Sequence, residues 1–225
     1  MAARSAAEDG PAENRTARDR AAGDRAAGDR TATAANIAAF TRIGLAEAGL
    51  RLASVAVCVV LQRDVPSLLI TRRARDLRSH AGQWALPGGG RDQGESARDA
   101  ASRELREETG VGLGPDAVLG MLDDYVTRSG YLITPVVMWG GPVSRGMTGP
   151  ESEVAEIHVI PLADLDVPPR LLRIPESQSP VIQLPLLGGY LHAPTAAIVY
   201  QFCQVALHGR ATRVAHFEQP VFAWK

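Results

Sequence analysis

The chain has 225 residues, 45% of them apolar and 22% charged, and a formal net charge of −1. That length and apolar content suffice for one good core, and the near-neutral charge argues against general nucleic-acid binding, since no basic surplus exists to displace counterions. No apolar run approaches ~18 residues, so no membrane span is expected. The two cysteines, Cys58 and Cys203, lie in apolar runs and read as buried thiols of a reducing, cytoplasmic compartment.

Residues 1–34 contain no Val, Leu, Ile or aromatic side chain and repeat AAGDR at 21–25 and 26–30. Nothing there offsets the entropy lost on ordering, and Glu8, Asp9, Glu13, Asp19, Asp24 and Asp29 are wrong for a transit peptide. A disordered tail over 1–34 and one domain over 35–225 are expected. From Asn36, the residues Ile37, Phe40, Ile43 and Leu45 recur at roughly helical spacing and predict a helix to about Ala48. Aliphatic runs at 55–61 and 68–71 predict strands joined by a turn at 63–66.

Arg72, Arg73, Arg75 and Arg78 follow, opposed only by Asp76. An Arg-rich edge strand entering a solvated loop would look the same. Directly before a Gly-rich turn, however, the run fits a phosphate clamp, because Arg offers paired hydrogen bonds to phosphate oxygens. His80 is expected to cap or pack the loop.

Residues 88–111, GGGRDQGESARDAASRELREETGV, carry the strongest chemical signal. Ser96 with Asp99 has the form of a capping box and Gly110 suits a left-handed C-terminal cap, so about three helical turns fit between them. At ~100° per residue from Ala97, the residues Ala100, Ala101 and Leu105 fall within about 80°. Glu104, Glu107 and Glu108, spaced i, i+3, i+4, project into that same inward face. Like charges so placed cost about 0.2 to 0.5 kcal/mol per pair on an exposed helix, and more when partly buried. A cation relieves that cost. Oxygen-only ligands suit a hard ion, Mg²⁺ or Mn²⁺ rather than Zn²⁺. A surface helix salt-bridged by Arg103 and Arg106 is the plainer alternative, disfavoured because the acids share the Ala/Leu face.

Beyond the helix, 117–127 and 131–139 predict a hairpin around Ser129-Gly130, 154–160 a strand, and 171–174 and 181–184 short runs. Residues 195–207 predict a terminal helix and 214–224 a docking tail. Tyr125 offers a surface for base stacking, although a strand aromatic is the commoner role. His158, His192, His208 and His216 sit singly and read as structural or exposed.

Gly89, Glu95, Arg103-Glu104-Leu105, Glu107-Glu108 and Gly110-Val111, at these spacings, resemble the Nudix box without a departure. The resemblance implies an α+β fold, the Nudix-type α/β/α sandwich with a mixed sheet and a metal-binding loop-helix. It further implies Mg²⁺- or Mn²⁺-dependent hydrolysis of a nucleoside diphosphate linked to another moiety. Glu104, Glu107 and Glu108 would hold the metal, with Glu107 and Glu108 counted as catalytic, while Glu95 and Arg103 orient the helix. A carboxylate from a later loop would be the general base, with Glu151, Glu153 and Glu156 as candidates and Glu153 favoured.

Residues 69–89 are similar to the signature that precedes the box in coenzyme A pyrophosphatases: two aliphatics, Thr71, Arg73, Ala74, Arg78, Gly82 and Pro87-Gly88-Gly89. Ile70 and Leu86 stand where that signature usually has Leu and Phe, and 193–198 keeps only the Thr-Ala of the usual C-terminal motif. This resemblance implies cleavage of coenzyme A or its derivatives to phosphopantetheine and 3′,5′-ADP, with Arg73, Arg78, Gly88 and Gly89 binding substrate. Another diphosphate, such as ADP-ribose, a sugar nucleotide or an oxidised nucleoside triphosphate, is the alternative. A non-catalytic nucleotide sensor is a third, against which the intact acids speak. The expected partner is thus a small-molecule nucleotide diphosphate, with no nucleic acid and no membrane, and a homodimer is left open.

Overall fold

A two-residue reversal sets the sheet in place. Arg63 and Asp64 both have positive φ, 50° and 64°, the backbone that matches the twist of a tight hairpin. They join β1 (Arg51–Gln62) to β2 (Val65–Arg73), so Val65 and Pro66 belong to the strand and pair with Gln62 and Leu61. The computed structural model describes residues 29–46, 49–74, 81–143 and 147–224.

β1 lies at the centre of a mixed sheet. It pairs in parallel with β7 (Tyr131–Pro142), and antiparallel with β2 and with β4 (Gly88–Gly90). β2 also carries β3 (Trp84–Ala85) and β8 (Val154–Pro161), and β7 carries β5 (Val118–Met121) and β6 (Tyr125–Val126). Because side chains alternate along β1, Ala53, Val57 and Val59 enter one core while Ala56, Cys58 and Val60 enter another. The second core includes Ala101 and Leu105 of α2 (Ala97–Thr109). The first includes Ala196, Ala197, Val199 and Phe202 of α4 (Thr195–Phe202) and Ile37 of α1 (Arg30–Ala39). A strand buried on both faces needs an unbroken aliphatic run, which is what residues 55–61 are. The result is the expected α+β sheet between helices.

A short α3 (Leu162–Leu165) leads to a second, three-stranded sheet of β9 (Arg170–Ile174), β10 (Ser177–Leu184) and β11 (Leu191–His192). Only 171–174 and 181–184 were expected there; the polar start of β10 is held by pairing, not by its own composition. α4 passes into a π-helical turn at Cys203–Leu207. The C-terminal segment docks as expected, burying Val214 and Ala223. Cys58 and Cys203 are both buried and free, and burial pushes both thiols up, Cys58 to about 12. Among the described residues no helix is long and apolar enough to cross a membrane.

The N-terminal helix departs from expectation. It begins at Arg30, capped by the Asp29 carboxylate, and ends at Ala39, not near Ala48. Ile43 and Leu45 instead belong to an extended stretch whose amides donate to Asp123 Oδ1 and Asp124 Oδ2 at 2.7 and 2.8 Å. Arg213 and Arg42 neutralise these two buried acids. The inward-facing acids also explain why 117–127 is not one strand: β5 and β6 are separated by residues 122–124. Thr33 is buried and Asn36 Nδ2 donates to Ala206 O, so residues 30–34 belong to the packed helix; residues 1–28 of the expected tail lie outside the described residues. Because residues 1–28 carry no Val, Leu, Ile or aromatic side chain, removing them is expected to leave the melting temperature unchanged, whereas removing 1–34 should lower it by cutting off the cap and first turn, worth about 1 to 2 kcal/mol. Equal melting temperatures for the two truncations would show that α1 contributes nothing.

The C-terminal segment adds a pH-dependent anchor. Buried Glu218 accepts from Arg128 Nε at 3.2 Å, and that guanidinium holds its carboxyl below the ordinary carboxylate range against the opposing effect of burial. A depressed carboxyl contributes stability that is fully present above its unfolded pKa, about 4.3, and lost as pH falls through the folded value. Arg128→Ala should lower stability near neutrality by about 1 to 2 kcal/mol. The gap to wild type should narrow as melts are taken to about pH 3; a gap that stays constant would rule out the pair as its cause.

Candidate active site

The loop-helix forms as the sequence predicts. The Ser96 hydroxyl accepts from Asp99 N and donates to Asp99 Oδ2, and Gly110 closes the helix with φ 73°. One arginine ties the loop to the helix: Arg103 Nε and Nη2 donate to the two oxygens of Glu95 at 2.9 and 3.0 Å. Its Nη2 also reaches Gly90 O at 3.1 Å, and Glu95 in turn accepts from Asp92 N. Glu95 and Arg103 are therefore orienting residues.

Absent side chains let the strand β4 lie where it does. A Cβ on Gly88 would meet Ser54 O and stand 2.7 Å from Val55 Cγ1, and one on Gly89 would run into the carboxylate of Glu104. The glycines thus bring backbone against both the central strand and the helix acids.

The three helix acids differ in environment. Glu108 is buried, Glu104 has a side chain 15% exposed, and Glu107 is exposed at 49%. The expectation that all three look inward is corrected for Glu107, which sits at the edge of the apolar arc and is drawn toward Arg103 Nη1 at 3.2 Å. Burial first, then Glu104 and Glu153, push the Glu108 carboxyl up to about 7, with Arg73 and the Gly88 amide pulling the other way. Burial also raises Glu104, opposed by Arg103 and reinforced by Glu107 and Glu153.

Glu153 thereby enters the same neighbourhood. Its carbonyl accepts from Ala74 N at 2.9 Å, which sets it beside the end of β2 and Arg73. Glu156 is committed elsewhere, to Arg72 Nη1 at 3.1 Å and His158 at 3.0 Å. Among the described residues Glu151 has no hydrogen bond or ion pair to the helix acids.

The donor chemistry fits a hard divalent cation. Two carboxyls, Glu104 and Glu108, are raised by burial and by neighbouring acids, and a dication would remove that cost. As arranged, no three His, Cys, Asp or Glu side chains among the described residues stand at ligand spacing; Arg103 Nη1 holds both Glu104 and Glu107.

A cavity of about 390 Å³ is lined by Gly88, Gly89 and Gly90; the helix acids do not line it themselves, and Glu104 packs against Gly89. Arg73 also lines it, with a buried Nε that has no partner among the described residues. Arg78 and His80 lie outside the described residues. Trp84 forms another wall, backed edge-on by His158 at 4.7 Å and by the Arg72 guanidinium at 5.4 Å. Tyr125 does not contribute a stacking face: it is buried and donates to Phe217 O at 2.9 Å. The sequence reading missed Arg51, Trp84 and Tyr131 as cavity residues, because their only signal is strand alternation onto the face that carries Ala53 and Val55.

A family model for the NUDIX domain matches residues 51–184. The chain is 42% identical over 106 residues to a protein of Yersinia enterocolitica called an uncharacterized Nudix hydrolase NudL, covering 46% of this chain and 53% of that one. It is 41% identical over 104 residues to the protein of that name from Pectobacterium atrosepticum, covering 46% and 54%. The chain spans about half the length of the curated relatives it matches. Among solved structures, a MutT/nudix family protein from Enterococcus faecalis is 16% identical with a TM-score of 0.48, over 72% of this chain and 62% of that one. The family model takes in more than half of the chain, from the first residue of β1 to the last of β10, and the chain belongs to the Nudix family.

Proposed function

We propose that this hydrolase cleaves the diphosphate bond of coenzyme A or its derivatives, releasing phosphopantetheine and 3′,5′-ADP. The observation that carries this reading is Arg73. It matches one of the two arginines of the coenzyme A pyrophosphatase signature that residues 69–89 resemble, it lines the cavity at the glycine strand, and its buried Nε has no partner among the described residues. A buried cationic donor without a partner is costly unless a ligand anion completes it.

Mg²⁺ or Mn²⁺, held by Glu104, Glu107 and Glu108, would neutralise the diphosphate oxygens and lower the pKa of a bound water. The chain's own groups do the rest. Arg73 binds and orients the diphosphate, and the amides of Gly88 and Gly89 approach it closely. Glu153 takes the proton as the water oxygen bonds to phosphorus and the bridging P–O bond breaks. Glu107 and Glu108 would supply the carboxylate charge that holds the cation, and Arg78 would add a second cationic side chain for phosphate.

Hydrolysis of coenzyme A, dephospho-coenzyme A, ADP-ribose, a sugar nucleotide and an oxidised nucleoside triphosphate, each with Mg²⁺ and with Mn²⁺, tests the reading. Coenzyme A should give the highest kcat/KM and yield 3′,5′-ADP. Rapid ADP-ribose or triphosphate cleavage with no coenzyme A cleavage would overturn the substrate, and nucleotide binding without turnover would point to a sensor.

A further inference from the structure

The cavity has a second cationic end that the catalytic reading does not use. Arg51, Ala53 and Val55 alternate onto one face of β1, and all three line the cavity, as do Tyr131 and Ile133 of β7. Val55 stands opposite Gly88, Ala53 opposite Gly90 and Arg51 opposite Tyr131. At ~3.3 Å per residue, Arg51 is roughly 13 Å along the strand from Val55. Arg73 and Gly88 mark the other end, since both act on the Glu108 carboxylate.

The surroundings of Arg51 are those of a prepared anion site. Its guanidinium lies 3.9 Å over the Tyr131 ring, and Nη2 donates to Ser129 O at 2.8 Å. Ring and carbonyl fix the plane of the fork and leave its other donors uncommitted among the described residues. No described carboxylate pairs with it; Glu218, on the neighbouring C-terminal segment, is taken by Arg128. Ser129, whose hydroxyl is shared with Thr127 Oγ1 at 3.1 Å, also lines the cavity. A stacked, pre-oriented guanidinium loses little freedom when it binds a phosphate.

We propose that Arg51, with the Ser129 hydroxyl, is the subsite for a phosphate monoester on the ribose of the substrate. It discriminates nucleoside diphosphates that carry a 3′-phosphate from those with a bare hydroxyl. The proposal rests on the coenzyme A reading and divides its charges between the two ends. Arg73 serves the diphosphate beside the acids, Arg51 the extra monoester, and the apolar floor of Ala53 and Ile133 between them carries the sugar. The ribose phosphate is thus read by a residue outside the arginine-rich signature.

Binding of adenosine 3′,5′-bisphosphate and of AMP to the full chain, by titration calorimetry, reads the subsite without turnover. Wild type should prefer the bisphosphate by about tenfold to a hundredfold, the scale of one charge-assisted contact. Arg51→Gln, which keeps a stem on Tyr131, should bring the ratio close to one, and Arg73→Ala should weaken both ligands alike. The kcat/KM ratio of coenzyme A to dephospho-coenzyme A should fall in parallel, with melting curves confirming that both variants fold. Equal weakening of both nucleotides by Arg51→Gln would mean that Arg51 holds the base or the turn, and no weakening would mean that it binds nothing; either overturns the proposal. Coenzyme A cleavage with an unchanged ratio would sink the subsite and leave the proposed function standing. A collapsed ratio without coenzyme A cleavage would keep the subsite and assign the enzyme another 3′-phosphorylated diphosphate.

Discussion

Glu108→Gln is expected to lower kcat by about 10²-fold or more at saturating Mg²⁺, with Glu104→Gln close behind. Each removes a ligand charge at nearly constant volume. Glu107→Gln should cost less, because that side chain is half exposed and shared with Arg103. Stability should move the other way. Glu108 is buried beside Glu104 and Glu153, so removing its charge relieves a cost, and the metal-free variant should melt no lower than wild type. Near-native turnover in both the Glu108 and Glu104 variants would remove the carboxylates from the metal site. A lost fold would instead make them structural.

The second large effect concerns a residue with no side chain. Gly89→Ala should leave a folded protein with kcat lowered by about 10²-fold, because the added methyl displaces the Glu104 carboxylate, and displacements of about 1 Å carry that penalty at a reacting centre. The neighbouring Gly88→Ala should fail differently. Its Cβ would press on Ser54 O and Val55 of the central strand, which cannot swing aside, so a loss of about 1 to 3 kcal/mol in stability is expected. Measuring melting temperature and turnover for both separates the two glycines. If Gly89→Ala keeps full activity, Glu104 is free to relocate and its position carries no catalytic weight.

What was legible in the sequence was local. The capping box at Ser96, the left-handed Gly110 and the aliphatic run of β1 each dictate their element through neighbours close in the chain, and each formed as expected. The acids were legible because charge on an apolar helix face is anomalous. Glu107 shows the limit: the wheel places it within the arc, but a residue near the arc's edge is decided by its partner, here Arg103. Ile43 and Leu45 show another, since helical spacing cannot reveal that their amides are claimed by Asp123 and Asp124, some eighty residues away. The cavity was the least visible, because Arg51, Trp84 and Tyr131 come from three strands that meet only through pairing.

The acidic pair at Asp123 and Asp124 has a further consequence. Asp123 accepts from the Ile43 amide, from Gln201 of α4 at 2.8 Å and from Arg213 at 2.7 Å, and Arg213 also donates to Thr41 O. The opening and closing stretches of the domain are thus knotted to one loop between β5 and β6. Neither can peel away without unfastening the other, so the two ends open as one cooperative unit. The same closeness makes a circular permutation that links them easier to bridge than their separation in the chain suggests.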